Sequence, residues 1–393
     1  MRKVGLSTLA AWLVWLLVLS GCSLLDKEPD TLGLRVNEEG ILTRDGKPYH
    51  GVGLNFFSMF NRTLDDPNDK SYAEGLKEIG SFGIPFVRFA ASPYWPVSFK
   101  LYFDDRKKYY ELMDDVVETA EKEGVGLIPS FVWAETSWPD VMKEPRNAWG
   151  DVNSKTMDMM RTYVKEVVSR YKDSPAIWGW ELGNEFNLQV DLPNAKDARP
   201  PVVPELGTPT ERTEKDDVTS ETMAALQAEF AKTVREIDPS RIILTGNALP
   251  RPSAWHQREN NSWVQDTKEN FTAILKDQNP PPYSMLTVHY YPGEARFGAP
   301  DDPTVLIPLM MEAAAEAKQP LFIGEIGVSG PEETGRPVFE SYMGEIEKAQ
   351  VPLTAVWVYD LPNQPENTIL GSNERRYQLE MLQEMNKRMS KLE

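Results

Sequence analysis

The sequence of 393 residues contains one cysteine and only three histidines. A single cysteine can form neither an intramolecular disulfide nor a cluster of thiolate ligands. The histidines, His50, His256 and His289, occur outside any H-E-x-x-H pattern, so a histidine-rich metal centre is not expected. We therefore expect a protein that uses no metal and no cofactor.

Basic residues are also scarce, with 42 Lys and Arg against 60 Asp and Glu and a formal charge of −18. Nucleic-acid binding requires basic patches that neutralise phosphates, so no nucleic-acid partner is expected. The apolar share of 41% and the charged share of 26% are ordinary for a packed globular protein. Composition therefore argues against wholesale disorder.

A long uncharged apolar run occurs at the N-terminus, where two basic residues precede the segment 6–19. A basic start, an apolar stretch and a small-residue cleavage site together indicate a secretory signal. The sequence LSGC at 19–22 resembles a bacterial lipobox, which implies removal of residues 1–21 and lipidation of Cys22. An uncleaved membrane anchor is the alternative, because residues 4–25 are uncharged and long enough to cross a bilayer.

The mature chain is then expected to begin with a polar tether, residues 22–32, followed by a single domain over residues 33–393. Ser23 after the cysteine favours the outer membrane where the organism has one, by the same lipoprotein resemblance. We expect an exported monomer, lipid-anchored at the bacterial cell surface or outer membrane.

Residues 33–393 alternate short apolar runs with amphipathic patterns. A hairpin is expected first, with β-prone residues at 34–36 and 41–43 before a tight turn at Asp45-Gly46. Eight apolar runs follow, at 51–55, 85–90, 125–131, 176–183, 241–246, 284–289, 320–325 and 353–359. Helical patterns lie between them, for example at 104–123, 154–172, 217–237, 303–317 and 335–349.

Near-continuous apolar strands separated by amphipathic helices indicate a parallel sheet covered on both faces. Eight strands are the number that closes a barrel whose interior side chains can fill. An open doubly wound sheet is the alternative, but no glycine-rich nucleotide-binding motif follows the first strand. We expect an α/β fold, the (β/α)8 TIM barrel, with an N-terminal β-hairpin and long loops at its C-terminal face.

Functional residues in such a barrel lie at the carboxyl ends of the strands. Polar or aromatic residues at these ends are Arg88, Asn184, Glu185, His289, Tyr291, Glu325 and Trp357. A carboxylate at the end of a buried apolar run is costly unless a partner or a reaction requires it. Glu185 and Glu325 end the fourth and seventh strands and would face each other across the barrel mouth. Paired carboxyl groups, one of them protonated, are what glycoside hydrolysis requires.

The segment WGWELGNE at 178–185, followed by Ile323-Gly324-Glu325, resembles glycoside hydrolase family 5, the cellulase and mannanase family. The resemblance extends from about residue 34 to the end of the eighth strand. It implies a retaining β-glycoside hydrolase that cleaves β-1,4-linked mannan or glucan, as polysaccharide or oligosaccharide, by double displacement. Glu185 would be the general acid/base and Glu325 the nucleophile.

The same resemblance assigns neighbouring residues to the substrate. The set is Asn184 for the sugar 2-hydroxyl, Arg88 to keep Glu325 ionised, Tyr291 to orient that nucleophile, His289 for the acid/base region, and Trp357 as the floor beneath the cleaved sugar. Two features depart from the family pattern. The stretch PSFVW at 129–133, after the third strand, holds no histidine where the family usually has one, and Phe186 follows Asn184-Glu185 where a proline is common. These departures bear on subfamily and substrate more than on the chemistry.

Loop aromatic residues are candidate sugar platforms, because aromatic faces stack on pyranose rings. They are Tyr94, Trp95, Trp133 and Trp138. The proline-rich segment 188–216 is longer than an ordinary connection and would flank Glu185. Whether it blocks the cleft, which would favour exo-action, is left open. Glu181 is expected to be a buried structural carboxylate that needs a partner such as Arg88.

The alternative function is a non-catalytic carbohydrate-binding surface lipoprotein on a glycosidase-like barrel. It would keep the aromatic platforms but would require neither glutamate, so the presence of both argues against it. A metal-dependent hydrolase is disfavoured, because His289 is the one histidine available at a strand end.

Overall fold

The computed structural model describes residues 32–391. The predicted signal peptide, 1–21, and the predicted lipidation site, Cys22, lie outside the described residues. From Leu32 onward the chain forms one compact unit. Within residues 32–391, no helix has the length and apolar character needed to span a membrane.

The domain begins with a small antiparallel sheet. Its strands are β1 (Leu34–Val36), β2 (Leu42–Arg44) and β3 (Lys47–Pro48). Asp45 and Gly46 connect β2 to β3 with φ angles of 52° and 75°. A two-residue hairpin turn with positive φ at both positions favours an Asp-Gly pair. The predicted hairpin is therefore present and carries a third short strand.

Eight further strands form the predicted barrel. They are β4 (Gly51–Asn55), β5 (Phe86–Ala90), β6 (Gly126–Val132), β7 (Gly179–Gly183), β8 (Ile242–Leu244), β9 (Leu286–His289), β10 (Leu321–Ile326) and β11 (Leu353–Val356). Their order is β8-β7-β6-β5-β4-β11-β10-β9, with parallel pairing throughout. Between β8 and β9, the Ser284 N–H donates to the Ile243 carbonyl at 2.8 Å. The Ser284 hydroxyl accepts from the Ile243 N–H at 3.0 Å.

Helices alternate with the barrel strands and cover the outside of the sheet. They are α1 (Asn61–Asp65), α2 (Ser71–Ser81), α3 (Lys100–Asp104), α4 (Arg106–Glu123), α5 (Ser137–Met142), α6 (Lys155–Tyr171), α7 (Ser220–Arg235), α8 (Ala254–Asn260), α9 (Lys268–Asp277), α10 (Pro303–Ala317), α11 (Glu332–Lys348) and α12 (Arg376–Met389). Local sequence explains the ends of α4, where Asp105 accepts from the Lys108 N–H at 3.0 Å and Gly124 adopts the left-handed conformation.

The small sheet fills the amino-terminal end of the barrel. One apolar cluster joins the two sheets, formed by Leu34, Leu42, Tyr49, Phe86, Ile128, Trp178, Ile242, Leu244, Met285, Phe322, Leu353 and Ala355. The Trp178 indole packs against the Tyr49 ring at 5.6 Å, and the Arg44 guanidinium lies 4.1 Å from its centroid. A Cβ at Gly126 would lie 2.2 Å from the Trp178 ring, so only glycine fits there. The polar site is consequently confined to the carboxyl end.

Candidate active site

The carboxyl ends of six barrel strands bring the predicted site residues together. Arg88 lies in β5, Asn184 and Glu185 directly follow β7, His289 ends β9 with Tyr291 two residues beyond, Glu325 lies in β10, and Trp357 directly follows β11. Trp133 directly follows β6. Parallel strands explain this convergence, because all of their carboxyl ends meet at one rim of the barrel.

Arg88 is the central cation of the site and is fully buried. Its Nη1 donates to Glu325 Oε1 and its Nε to Glu181 Oε1, each at 2.7 Å. It also donates to the side-chain oxygens of Asn55 at 3.0 Å and Asn184 at 2.9 Å. Burial opposes the charge, but the neighbouring Glu181 and Glu325 outweigh it and raise the pKa of Arg88. One permanent cation therefore serves two carboxyl groups.

Glu325 is held in one orientation by two donors. Its Oε1 accepts from Arg88 at 2.7 Å, and its Oε2 accepts from the Tyr291 hydroxyl at 2.6 Å. Burial, together with the nearby Glu325, raises the pKa of Tyr291 well above its ordinary value, so this hydroxyl remains protonated. The Glu325 side chain is 5% exposed and lines a cleft.

Glu185 occupies a strained backbone position directly after β7. Its φ and ψ are 54° and 25°, the left-handed region that a non-glycine residue rarely adopts. The Glu185 N–H donates to the Gly246 carbonyl at 2.8 Å, which ties this conformation to the loop after β8. Burial raises the pKa of Glu185 even though Arg88 opposes the shift. The protonated form of Glu185 therefore persists to higher pH than that of an ordinary glutamate.

His289 lies between the two glutamates. Its Nδ1 is 2.9 Å from Glu185 Oε1 and 3.5 Å from Glu325 Oε1. Burial lowers the pKa of His289 to about 3, so the imidazole is neutral across the ordinary pH range. One ligand atom from each of the three residues lies within 4.8 Å of the other two, as a metal ion would require. However, both Glu325 oxygens already accept hydrogen bonds from Arg88 and Tyr291, so the cluster is organised around hydrogen bonds.

Asn55 belongs to the site although the sequence analysis did not single it out. It is the last residue of β4 and is fully buried. Its Nδ2 donates to the Gly324 carbonyl at 3.0 Å while its Oδ1 accepts from Arg88. The signal was present in the sequence, because Asn55 is a polar residue at the carboxyl end of a predicted strand.

A cleft of about 1240 Å³ opens above the two glutamates. Its lining includes Glu185, Glu325, Asn184, Tyr291 and the aromatic residues Phe57, Tyr94, Trp95, Trp133 and Trp357. The remaining lining residues come from α1, the start of α2 and the loops after β4, β5, β10 and β11. Segment 188–216 contributes no lining residue and is anchored elsewhere, for example by Arg212 to Asp140 at 2.7 Å.

The aromatic residues form a continuous wall at the cleft. Trp133 and Trp357 stack with their ring centroids 6.1 Å apart, and the Arg88 guanidinium lies 4.2 Å from the Trp133 centroid. Trp133, which directly follows β6, therefore covers Arg88. The prediction that Trp138 offers a sugar platform is wrong, because this side chain is fully buried and packs edge-on against Phe99.

A sequence model described as Cellulase (glycosyl hydrolase family 5) matches residues 43–360. The chain belongs to glycosyl hydrolase family 5. The match covers all eight barrel strands, including the ends that carry Glu185 and Glu325. The family assignment thus includes the whole hydrogen-bonded site around Arg88.

Two proteins with similar sequences are named as mannan endo-1,4-beta-mannosidases. The probable mannan endo-1,4-beta-mannosidase F of Aspergillus flavus is 35% identical over 161 residues, which are 36% of this chain and 34% of the fungal protein. The chain therefore spans about a third of the length of this curated relative. A putative mannan endo-1,4-beta-mannosidase 9 of Oryza sativa is 24% identical over 318 residues, 73% of this chain and 69% of the plant protein.

Solved structures support the fold of this family 5 chain. The endo-1,4-beta-mannanase from Rhizomucor miehei superimposes with a TM-score of 0.65, covering 91% of this chain and 99% of the mannanase. The two sequences are 17% identical, so the likeness establishes the barrel architecture alone.

Proposed function

We propose that this family 5 protein is a retaining β-glycoside hydrolase that cleaves β-1,4-linked mannan or glucan. The observation that carries the proposal is the short distance between Glu185 and Glu325. One carboxyl oxygen of Glu185 lies within 4.8 Å of one carboxyl oxygen of Glu325. Retaining enzymes hold their carboxyl groups about 5–5.5 Å apart, whereas inverting enzymes need about 6.5–9.5 Å to admit a water.

In the first step, Glu325 attacks the anomeric carbon. A bond forms between a Glu325 oxygen and that carbon, the glycosidic bond breaks, and the Glu185 proton passes to the leaving oxygen. Arg88 and Tyr291 support this assignment, because they hold the attacking carboxylate in one orientation. The raised pKa of Glu185 supports its role as the acid.

In the second step, the glycosyl-enzyme is hydrolysed. Glu185, now a carboxylate, accepts a proton from water, the water oxygen bonds to the anomeric carbon, and the ester bond to Glu325 breaks. Both glutamates then return to their starting protonation states. No metal or other cofactor takes part in these steps.

Asn184 is proposed to bind the sugar 2-hydroxyl. Its Oδ1 accepts from Arg88 Nη2 at 2.9 Å, and a guanidinium can only donate. The amide orientation is therefore set by chemistry, and the Asn184 Nδ2 is directed away from Arg88. Since Asn184 lines the cleft, this NH2 group is available to a sugar hydroxyl.

Mannan is the favoured polymer, because the relatives of this chain are named mannan endo-1,4-beta-mannosidases. Endo-action is favoured because segment 188–216 does not line the cleft. Trp357 and Trp133 are proposed to contact the sugar at the point of cleavage, with Trp357 as its floor.

The function is tested with residues 23–393, which lack Cys22, on mannan, β-glucan, xylan and aryl β-glycosides. Chromatography of released products should show mannan or glucan oligosaccharides, and Glu185→Ala should abolish their release. Glu39→Ala, the same change at an exposed glutamate, is the matched control and should behave as wild type. A folded protein that releases no product would favour the non-catalytic carbohydrate-binding function instead.

We further propose that the protein is exported, cleaved before Cys22, lipid-anchored at the bacterial cell surface or outer membrane, and monomeric. The support is the LSGC sequence at 19–22 after the uncharged apolar run. Full-length protein expressed in a bacterium should incorporate a labelled fatty acid, whereas Cys22→Ser should not. Absence of label from the wild type would contradict lipidation. Light scattering of the soluble domain tests whether it is monomeric.

A further inference from the structure

The floor residue Trp357 is held by a hydrogen bond at its indole nitrogen. Trp357 Nε1 lies 2.9 Å from Gln364 Oε1 in the loop after β11. An indole N–H can only donate, so the atom of Gln364 that faces it must be the oxygen. The orientation of this amide follows from chemistry and does not depend on how its oxygen and nitrogen are assigned.

The same reasoning extends along the loop. Asn367 Nδ2 donates to Gln364 Oε1 at 3.1 Å, so the Asn367 oxygen must face the other way. There it accepts from the Ser329 hydroxyl at 2.6 Å, in the loop after β10. The four side chains form a hydrogen-bond chain whose donors converge on Gln364 Oε1, which accepts from Trp357 on one side and from Asn367 on the other. Two donors saturate that oxygen.

The two loops that carry this chain are joined by Arg375. This residue is 3% exposed and donates to the carbonyls of Val328 at 2.8 Å, Gly330 and Glu366. Val328 and Gly330 belong to the loop after β10, and Glu366 to the loop after β11. Because all three acceptors are backbone atoms, Arg375 fixes the relative position of the loops.

Gln364 Nε2 is left with no protein partner among residues 32–391, although Gln364 lines the cleft beside Trp357. In the barrel order, β11 lies four strands from β7 and so on the opposite side of the mouth from Glu185. The proposed acid Glu185 marks the side of the departing sugar. Gln364 therefore lies on the glycone side, beyond the sugar that rests on Trp357.

We propose that Gln364 determines glycone specificity: its oxygen positions Trp357, and its NH2 group donates to the neutral sugar next to the one being cleaved. The inference rests on the proposed function. Asp65, Asp69 and Asp360 also line the cleft. Within residues 32–391, Asp360 is the one of these three with a salt bridge, to Arg62 at 2.7 Å, while Asp69 accepts hydrogen bonds from Ser71. This excess of negative charge disfavours a uronic acid and leaves a neutral hexose as the unit recognised.

Two substitutions separate the roles of Gln364. Gln364→Glu keeps an oxygen for the Trp357 indole but removes the donor, whereas Gln364→Met removes both. The substrates are aryl β-glycosides with one or two sugars on the glycone side, in manno and gluco series. Gln383→Glu, the same chemical change in α12, is the control and should leave the preference for two sugars unchanged.

The substrate with two glycone sugars is called the bioside and the one with a single sugar the monoside. We expect Gln364→Glu to lower the kcat/KM of the bioside relative to that of the monoside by about three- to tenfold at pH 7, the effect of one hydrogen bond. The introduced carboxyl group donates again when protonated, so this loss should shrink as the pH falls to 4. Gln364→Met should lower kcat/KM for the monoside as well, because Trp357 loses its hydrogen-bond acceptor. The fall in kcat/KM caused by Gln364→Met should not depend on pH.

The proposal is overturned if Gln364→Glu leaves the ratio of the two kcat/KM values unchanged, which includes an equal fall in kcat/KM for both substrates. Calorimetric binding of mannobiose and cellobiose to Glu325→Ala, with and without Gln364→Glu, gives the same comparison without turnover. If wild type cleaves no glycoside, the proposed function fails, while a weaker disaccharide affinity in the double variant still supports the contact. Thermal unfolding of each variant checks that the barrel is intact.

Discussion

His289 Nδ1 lies 2.9 Å from Glu185 Oε1, and the imidazole that makes this contact is neutral. Burial, which Glu325 opposes and Arg88 reinforces, lowers the pKa of His289 to about 3, so His289 does not titrate between pH 5 and 9. Under the proposed function, we therefore assign the ionisation that would limit activity at high pH to Glu185. The Glu185–His289 contact is a hydrogen bond to a neutral imidazole rather than an ion pair.

This relationship predicts the pH profile. Burial raises the pKa of Glu185, and the acid is needed in its protonated form, so kcat/KM should fall as the pH rises through that raised pKa. The alkaline limb should lie above the ordinary glutamate value of about 4.3. Glu185→Gln assayed with a dinitrophenyl glycoside, whose leaving group needs no acid, should lose this limb. A flat wild-type profile from pH 4 to 9 would contradict the assignment.

Removal of the nucleophile gives the second prediction. Glu325→Ala should lower kcat on the order of 10⁴-fold or more, because no covalent intermediate can form. Azide should partly restore turnover of an activated aryl glycoside by entering the vacated space. The product should be the glycosyl azide of inverted configuration, identified by NMR. An Ala variant of near-normal activity, or a rescued product of retained configuration, would refute the role of Glu325.

The shared cation gives the third prediction. Arg88→Met leaves Glu181 and Glu325 without their common partner and should destabilise the fold by about 3–5 kcal/mol. Adding Glu181→Gln removes one of the two buried charges and should recover part of that free energy of unfolding. Activity should remain low in both variants, because Glu325 is still unsupported. Urea denaturation and kcat measured together check this; recovery of activity in the double variant would contradict it.

The fourth prediction concerns acid stability and a buried carboxylate away from the cleft. Asp238 is 2% exposed and accepts from Trp180 Nε1 and from Arg241 Nη1, each at 2.8 Å. Burial would raise the pKa of Asp238, but these donors outweigh it and lower the pKa. A lowered pKa adds stability above the unfolded-state value, about 3.9, and that stability is lost as the pH falls through the folded-state value.

Asp238→Asn should therefore cost about 3 kcal/mol at pH 7, because it leaves the Arg241 charge unpaired. The difference in the free energy of unfolding between wild type and variant should narrow as the pH is lowered from 5 to 2. Thermal unfolding followed by circular dichroism over this range measures both effects. A constant difference at every pH would show that the carboxylate charge is not what stabilises the fold.

Much of the fold was predictable because buried parallel strands and surface helices differ in their apolar patterns. Strand bounds were less accurate at some strand ends. The run 176–183 was expected to be one strand, whereas β7 begins at Gly179 and the preceding Ile177 forms a separate parallel bridge with Leu127 of β6. The Trp178 N–H still donates to the Leu127 carbonyl, while its side chain packs against the small sheet at the end of the barrel.

The central site residues could be found in the sequence because each follows or ends an apolar run. Gln364 could not, since its importance depends on two loops meeting through Asn367 and Ser329. Trp138 was misjudged for a related reason. Its place in a loop region suggested exposure, whereas its burial results from packing between α5 and the segment 96–99, which lie far apart in sequence.

The small sheet at the amino-terminal end makes the barrel a cup with one opening. Leu34, Leu42 and Tyr49 close the floor over Trp178, so nothing passes through the barrel axis. Under the proposed function, a departing sugar and an incoming water would therefore have to use the same mouth, above Glu185.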